Sequence, residues 1–198
     1  MKTLKDFWKF LNKDTWQSWL VSLVLIVLII KIIVFPLLSL ATASPLPLVV
    51  IESCSMWHED NFENWWGRNA VQYETRGISH DQFTNFPFRD GLNKGDIILV
   101  SNRQTQKVGD IIIFQPNPEA TAKHPIIHRT VSTEPLSTKG DHNAFQFNTA
   151  NNPQKLDETN IQPSQIIGRA TIRIPLIGWL KLIFFDLQKP ESQRGFCR

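Results

Sequence analysis

Residues 49–60 read VVIESCSMWHED, a stretch in which an apolar run leads directly into three side chains that can act as nucleophiles. The run Val49–Ile51 favours an extended strand, because β-branched residues fit a pleated surface. Ser53, Cys54 and Ser55 follow it. A serine hydroxyl is a weak nucleophile until a base accepts its proton, so the rest of the chain must supply that base.

The segment upstream of this strand is apolar on every side. Residues 20–40 read LVSLVLIVLIIKIIVFPLLSL, with Lys31 as the single charge. A helix of this length spans roughly 30 Å, the hydrocarbon thickness of a bilayer. Lys31 costs roughly 2.5–3.5 kcal/mol there, and the surrounding leucine, isoleucine and valine residues outweigh it at about −0.3 to −0.6 kcal/mol each. We predict a transmembrane anchor over 20–40, with Pro36 kinking it or starting its exit.

A cleavable signal peptide is the alternative interpretation of the same segment. Ala41-Thr42-Ala43 is typical of a cleavage site after an apolar run. The apolar region of a signal peptide is about 7–15 residues, which is shorter than this run. A retained anchor is therefore the prediction.

The excess of positive charge lies before the anchor. Residues 1–19 hold four lysines and two aspartates, whereas the 198-residue chain carries a formal charge of only +3. Basic residues that flank a span stay in the cytoplasm, so we expect 1–19 inside and residues from 41 onward outside. The spacing of Leu4, Phe7, Trp8 and Leu11 predicts an amphipathic helix for the first segment, lying in the headgroup region or packed on the anchor. The high pI does not predict a nucleic-acid partner, because no basic stripe is present.

The region after the anchor has the pattern of a mainly β domain with short helices, over 41–186. Short apolar runs bounded by Gly, Pro and Asn predict strands. The predicted strands are Leu48–Glu52, Asp96–Val100, Asp110–Phe114, Pro125–Val131 and Ile166–Ile174. An aromatic insertion at about 58–93 is expected to form helices over Asp60–Thr75 and Ser79–Asn85, with its aromatic residues as core or, alternatively, in contact with lipid.

The C-terminal part allows two interpretations. The apolar run Ile174–Phe185 is too short to span a bilayer, and it suits either docking into the membrane interface or a buried strand and helix. Residues 187–198 are expected to be a flexible tail. Cys54 and Cys197 are the only cysteines, and we do not expect them to form a disulfide.

Five histidines are available as a base for the serine segment. His128 lies in an apolar run, where a strand would present its imidazole to one side; such a residue is also often part of a core. Asp141 follows in a Lys-Gly-Asp turn, where an acid can orient an imidazole. The chain has no HExxH or paired CxxC spacing, so neither a metal nor a cofactor is predicted.

Five short motifs follow one another along the chain: Ser53-Cys54-Ser55-Met56, Gly109-Asp110-Ile111-Ile112, Ile127-His128-Arg129, Lys139-Gly140-Asp141-His142-Asn143 and Ile167-Gly168-Arg169-Ala170 with Ile174-Pro175 and Gly178-Trp179. Their order and spacing resemble those of type I signal peptidases, from residue 20 to about 186. Bacterial members carry a lysine base before the arginine of the third box. Here that position is His128, so the chain is similar to the archaeal and endoplasmic-reticulum type, and we favour an archaeal source.

The resemblance implies a role for each matching residue. Ser55 would be the nucleophile, His128 the general base and Asp141 the acid that orients it. Ser53 would help to bind the oxyanion of the transition state. The family often has a further acid six residues after Asp141, where this chain has Phe147. Asp157, in the following loop, is the possible alternative acid.

The resemblance also implies a substrate class and partners. The expected function is removal of signal peptides from exported proteins by cleavage after small residues. The expected partners are presecretory proteins, the lipid bilayer and the protein translocation channel. Small-residue pockets are expected near Val49–Ile51 and Ile112–Phe114. Another membrane-tethered serine endopeptidase of the same fold, or a non-catalytic relative acting as an interaction module, remain as alternatives.

Overall fold

The computed structural model describes residues 2–122 and 124–197. Its internal contacts divide the chain into two compact units, one that ends at Thr42 and one that begins at Ala43. This boundary lies within three residues of the predicted end of the anchor.

The first unit consists of two helical segments. Helix α1 spans Lys2–Leu11, and the second segment consists of α2 (Trp16–Ile29), a π-helical turn (Ile30–Val34) and α3 (Phe35–Thr42). Thr15 caps the N-terminus of α2, because its side-chain oxygen accepts the backbone N–H of Ser18 at 3.4 Å. The 27 residues Trp16–Thr42 have a mean hydropathy of 3.0 and are long and apolar enough to cross a membrane.

Pro36 does not end this helix. A proline inside a helix has no N–H to donate, and its ring clashes with the carbonyl four residues before it. The π-helical turn precedes Pro36, and the N–H of Phe35 bonds to the carbonyl of Ile30, five residues back. Such a widened turn is a common way to continue a helix past a local irregularity. The helix therefore runs on to Thr42.

The second unit is built on one antiparallel sheet with the strand order β1-β2-β6-β3-β4-β5. The strands are β1 (Leu48–Val50), β2 (Ile97–Ser101), β3 (Ile111–Phe114), β4 (Ile126–Thr133), β5 (Leu136–Lys139) and β6 (Ile166–Ile174). The five predicted strands are confirmed, and β5 was not predicted. The description of the chain as mainly β is only partly right, because 36% of its residues are helical and 17% lie in strands.

The central strand β3 is covered on both faces. Ile111 and Ile113 contribute to one hydrophobic cluster, and Ile112 and Phe114 contribute to another. Alternate residues of a strand point to opposite faces, so a strand buried on both sides requires a continuous apolar run. All four side chains are fully buried, which corrects the prediction that Ile112–Phe114 line small-residue pockets.

The insertion forms two helices around an aromatic core. Helix α4 spans Phe62–Glu74, and the short helix α5 spans His80–Thr84. Ser79 caps α5 in a reciprocal capping box with Gln82. The buried cluster consists of Phe62, Trp65, Trp66, Tyr73, Ile78, Phe83 and Val131. The core interpretation of the insertion is therefore confirmed for Trp65, Trp66 and Phe83.

Helix α6 spans Trp179–Phe185 and exposes most of its apolar side chains. Leu182 is fully buried, whereas Leu180 and Phe184 are 73% and 72% exposed. Of the two interpretations of this run, the buried one therefore does not hold. The tail beyond α6, which was expected to be flexible, is fixed by hydrogen bonds and by a disulfide between Cys197 and Cys54.

Candidate active site

The serine segment follows β1 as a tight turn. The N–H of Trp57 bonds to the carbonyl of Cys54 at 3.0 Å. Met56, in this turn, is 1% exposed and belongs to the main hydrophobic cluster, so its side chain fixes the turn to the core. Ser53 is exposed, Ser55 is half-buried, and their hydroxyl oxygens lie 3.2 Å apart. The two serines therefore share one small surface.

Gly140 brings the serine segment and the imidazole of His128 together. A Cβ at Gly140 would lie 2.8 Å from His128 Nε2 and 2.9 Å from the carbonyl oxygen of Ser55. The backbone N–H of His142 donates to that same carbonyl at 2.9 Å. Only a residue without a side chain leaves room for this approach. The turn after β5 therefore packs directly against both predicted catalytic residues.

His128 lies on β4 and is 4% exposed. Its Nδ1 makes a hydrogen bond with Oε1 of Glu158, a fully buried carboxylate. When Nδ1–H donates to the carboxylate, Nε2 carries the free lone pair and can accept a proton. The Ser55 hydroxyl bonds to Ser53, and the described residues include no hydrogen bond from it to His128. Such catalytic hydrogen bonds are often looser before a substrate binds.

Glu158 replaces both acids that were predicted to orient His128. Its second oxygen, Oε2, accepts the backbone N–H of Phe147 at 2.9 Å, and the hydroxyl of Thr138 donates to Oε1 at 3.3 Å. The backbone of Glu158 also pairs with Thr138 and Phe147. These contacts leave the carboxylate no freedom to turn away from the imidazole.

Asp141 is not the partner of His128, which corrects the prediction. Its carboxylate accepts hydrogen bonds from Tyr73 Oη at 2.8 Å, from His58 Nε2 at 3.0 Å and from the guanidinium of Arg129 at 2.7 Å. Burial alone raises the pKa of Asp141, but the Arg129 charge and the His58 hydrogen bond lower it well below its usual range. Asp141 is therefore an ionised, buried carboxylate that accepts hydrogen bonds from three surrounding side chains.

The Asp141 network joins the insertion to the β-sheet. His58 is stacked on Trp65, with ring centroids 3.6 Å apart. Arg129 also donates to the carbonyls of Pro87, Phe88 and Gly109, each at 2.9 Å. Burial and the charge of Asp141 raise the pKa of Tyr73 well above its usual value, so the phenol stays protonated. The network therefore fixes the position of the insertion relative to the sheet.

Asp157, the alternative acid, is also not a partner of His128. Its Oδ1 accepts the backbone N–H and the hydroxyl of Thr159, at 2.9 and 2.6 Å, and so stabilises its own turn. A signal for Glu158 was present in the sequence. In an extended segment, alternate side chains point the same way, and Leu156 is apolar. The structure buries Leu156 and Glu158 and leaves Asp157 between them half-buried.

Lys139 supports the turn that carries Gly140. Its ammonium group donates to the carbonyls of Gly140 and Asn143, at 3.0 and 2.7 Å. Burial lowers the pKa of Lys139 to about 8. Because both bonds end on backbone carbonyls, Lys139 shapes the turn rather than presenting a base to Ser55.

Cys54 and Cys197 form a disulfide, contrary to the expectation from the sequence. Their Cα atoms lie 5.6 Å apart, and 143 residues separate them along the chain. Spacing alone does not show which cysteines meet in a fold. The disulfide attaches the C-terminal tail next to Ser55 and removes Cys54 as a competing nucleophile.

No protein-family model and no curated protein matches this sequence. Among the residues that the structure describes, no group of three or more His, Cys, Asp or Glu side chains is placed to hold a metal ion.

Proposed function

We propose that this chain is a membrane-anchored serine endopeptidase that removes signal peptides, of the archaeal and endoplasmic-reticulum type of the type I signal peptidases. The observation that carries the proposal is the close approach of His128 and the Ser55 backbone to the same glycine. His128 Nε2 and the Ser55 backbone meet at Gly140, and the other ring nitrogen of His128 is held by the buried carboxylate of Glu158. The order of the sequence boxes supports the same family.

The proposed reaction has two halves, acylation of Ser55 and hydrolysis of the acyl group, and His128 and Glu158 act in both. His128 Nε2 takes the proton of Ser55 as the hydroxyl oxygen attacks the scissile carbonyl, and then gives that proton to the leaving amine. Water, activated by the same imidazole, releases the acyl group. Glu158 stabilises the imidazolium that forms in each half. The Ser53 hydroxyl and the Ser55 N–H would bind the oxyanion, and donors of this kind contribute about 3–4 kcal/mol in the transition state.

The position of Phe147 supports the family assignment despite its side chain. In the resembling family this position often carries the acid. Here the N–H of Phe147 binds the carboxylate of Glu158, which in turn bonds His128. A carboxylate therefore occupies the same neighbourhood, but it comes from the loop that follows.

We propose that the substrate peptide binds along β1. This strand lies at one edge of the sheet and leads into the Ser53–Ser55 segment. An extended peptide can add to an exposed edge strand through main-chain hydrogen bonds, which would align its scissile bond with the serine. Val49 and Val50 are half-buried on this strand and would limit the size of the side chains accepted. A signal peptide that ends in small residues fits such a surface.

Three features support a location of the proposed catalytic unit on the side of the membrane opposite the cytoplasm. The lysine excess lies before the anchor, which keeps residues 1–19 in the cytoplasm. The Cys54–Cys197 disulfide is typical of an oxidising compartment. The exposed apolar side chains of α6 suit the interface of a bilayer. Presecretory proteins, and the translocation channel that delivers them, would be the partners.

The deciding experiment is a cleavage assay of the full-length chain on a membrane-inserted presecretory protein. Ser55→Ala and His128→Ala are expected to abolish processing, because they remove the nucleophile and its base. His142→Ala, at a half-buried histidine in the neighbouring turn, is the matched control and should retain processing. Full processing by Ser55→Ala would refute the proposal. Cleavage of other membrane proteins but not of signal peptides would favour the related endopeptidase instead.

A further inference from the structure

We infer that residues 186–197 form a strap that positions the nucleophile segment, and that reduction of the strap's disulfide lowers the turnover rate. This inference rests on the proposed function, because it concerns the regulation of the same site. The strap consists of two short 3₁₀ turns, Asp186–Gln188 and Glu191–Gln193, followed by the terminal residues up to Cys197.

The strap holds residues 52–54 at two points. Cys197 is covalently bonded to Cys54, which lies between the two serines of the site. The ammonium group of Lys189 donates to the backbone carbonyl of Glu52 at 2.8 Å. Both points lie immediately before Ser55 in the chain, so the strap restrains the backbone that leads into the nucleophile.

The strap is itself fixed to the body of the domain. Lys94 is 2% exposed, and its ammonium group bonds to the carboxylate of Asp186 at 2.8 Å and to the carbonyl of Gln193 at 2.7 Å. The N–H of Gly195 donates to the same carboxylate at 2.7 Å. The ring of Phe196 packs on that of Trp179, with centroids 4.5 Å apart. Because the strap is fixed to the domain, its bonds to Glu52 and Cys54 hold residues 52–54 in place relative to the domain.

The two sides of the nucleophile turn are restrained by different means. On the C-terminal side, backbone hydrogen bonds hold the carbonyls of Ser55 and Met56, from His142 at 2.9 Å and Leu92 at 2.8 Å. On the N-terminal side, the strap holds Glu52 and Cys54. Ser53, the proposed oxyanion donor, lies between the strap contacts. Loss of the strap would therefore move Ser53 relative to Ser55.

The strap positions the site rather than closing it. Ser53 is exposed and Ser55 is half-buried with the strap in place, so a substrate can still reach both hydroxyls. Release of the strap would thus not open a blocked site. It would instead let Ser53 move relative to Ser55, and a misplacement of about 1 Å in an active site can lower the rate about 10²-fold.

The chemical step that releases the strap is thiol–disulfide exchange with a small dithiol. A thiolate of the dithiol attacks one sulfur of the Cys54–Cys197 bond and forms a mixed disulfide. Its second thiolate then displaces the protein sulfur. The protein disulfide gains two electrons and two protons to become two thiols, and the dithiol becomes a cyclic disulfide. Cys54 and Cys197 are both half-buried rather than enclosed in the core.

The test uses the full-length chain before and after treatment with dithiothreitol, with thiol titration to confirm that two thiols appear. Reduction is expected to lower kcat at least about tenfold with a smaller change in KM, and reoxidation should restore it. Cys197→Ser should match the reduced protein and should not respond to the reagent. Lys189→Met should lower kcat with the disulfide intact, whereas Leu187→Ser, at a 70% exposed strap residue, should not.

Amide hydrogen exchange separates this inference from the proposed function, since it needs no substrate. Reduction should speed exchange in residues 52–57 and 186–197 and leave β3 and β4 unchanged. An increase spread over the whole domain would show a disulfide that stabilises the fold as a whole, and would overturn the inference. So would unchanged exchange and unchanged kcat in protein shown to be reduced. If no substrate is cleaved at all, the exchange pattern still decides whether the strap positions the serine segment.

Discussion

Glu158 is separated from His128 by thirty residues, yet its carboxylate reaches the imidazole. Glu158→Gln keeps the shape of the side chain but removes the charge that stabilises the imidazolium. We expect the processing rate to fall on the order of 10⁴-fold, by analogy with a triad whose acid was neutralised. Asp157→Asn, at the adjacent half-buried position, is the matched control and should retain most of the rate. The measurement is kcat for signal-peptide cleavage. A mild Glu158→Gln with a severe Asp157→Asn would contradict the assignment.

Asp141 has a different expected effect, on stability rather than on chemistry. Asp141→Asn leaves the guanidinium of Arg129, which is fully buried, without its anionic partner. Breaking a buried ion pair in this way costs about 3–5 kcal/mol of unfolding free energy. Urea denaturation of the variant measures this loss, and Tyr73→Phe, which removes one hydrogen bond to the same carboxylate, should cost clearly less. Equal stability of Asp141→Asn and the parent chain would refute the anchoring role.

The pH dependence of stability follows from the lowered pKa of Asp141. A carboxyl group whose pKa is lower in the folded than in the unfolded state stabilises the fold above the unfolded pKa of about 3.9. That contribution is lost as the pH falls through the folded pKa. The parent chain should therefore lose unfolding free energy below about pH 4, and Asp141→Asn should lose less over the same interval.

At the scale of elements, the turn after β5 is the part of the fold that brings His128 and the Ser55 backbone together. Gly140→Ala would place a Cβ 2.5 Å from Asn143 Nδ2 and within 3 Å of both His128 Nε2 and the Ser55 carbonyl. The turn must shift to relieve these contacts, so we expect a large loss of cleavage rate in a protein that still folds. Gly67→Ala is the matched control. It lies in α4 with nothing within 4 Å of its Cβ, and should stabilise the helix by about 0.5–1 kcal/mol without altering the rate. Comparable rates for the two variants would show that the turn does not position the site.

The helices of the insertion have a structural purpose that their sequence only partly reveals. Both helices were expected from the sequence, and the cap at Ser79 is a local signal for the start of α5. The contact from Tyr73 on α4 to Asp141 joins positions 68 residues apart, and no local pattern predicts it. The insertion therefore supports the turn that follows β5.

At the scale of the whole molecule, the charge distribution predicts a single orientation in the membrane. Lys5→Cys should be protected from an impermeant thiol reagent in intact cells, and Arg103→Cys should react, because the lysine excess precedes the span. The native cysteines form a disulfide and do not compete for the reagent. Labelling of Lys5→Cys alone would place the second unit in the cytoplasm and would rule out the proposed processing of exported proteins.

The sequence by itself determined the features that depend on composition and on local periodicity. A long apolar run specifies a helix that can span a membrane, because its backbone groups bond within the segment and its side chains need no partner. Short apolar runs bounded by Gly, Pro and Asn predicted five strands of the sheet. Ser55 and His128, which the box order singled out, both pack against the same glycine.

Only the tertiary structure decided which distant groups meet. The alternation of Leu156 and Glu158 shows only that these two side chains point the same way, so the sequence did not show that Glu158 rather than Asp141 or Asp157 reaches His128. The Cys54–Cys197 pairing likewise joins residues 143 positions apart. Such contacts are specified by the summed packing of the core and by the need to satisfy every buried charge, and neither can be read from a local stretch of chain. The same requirement explains why Asp141 lies with Arg129, since a fully buried guanidinium needs an anionic partner more than an imidazole does.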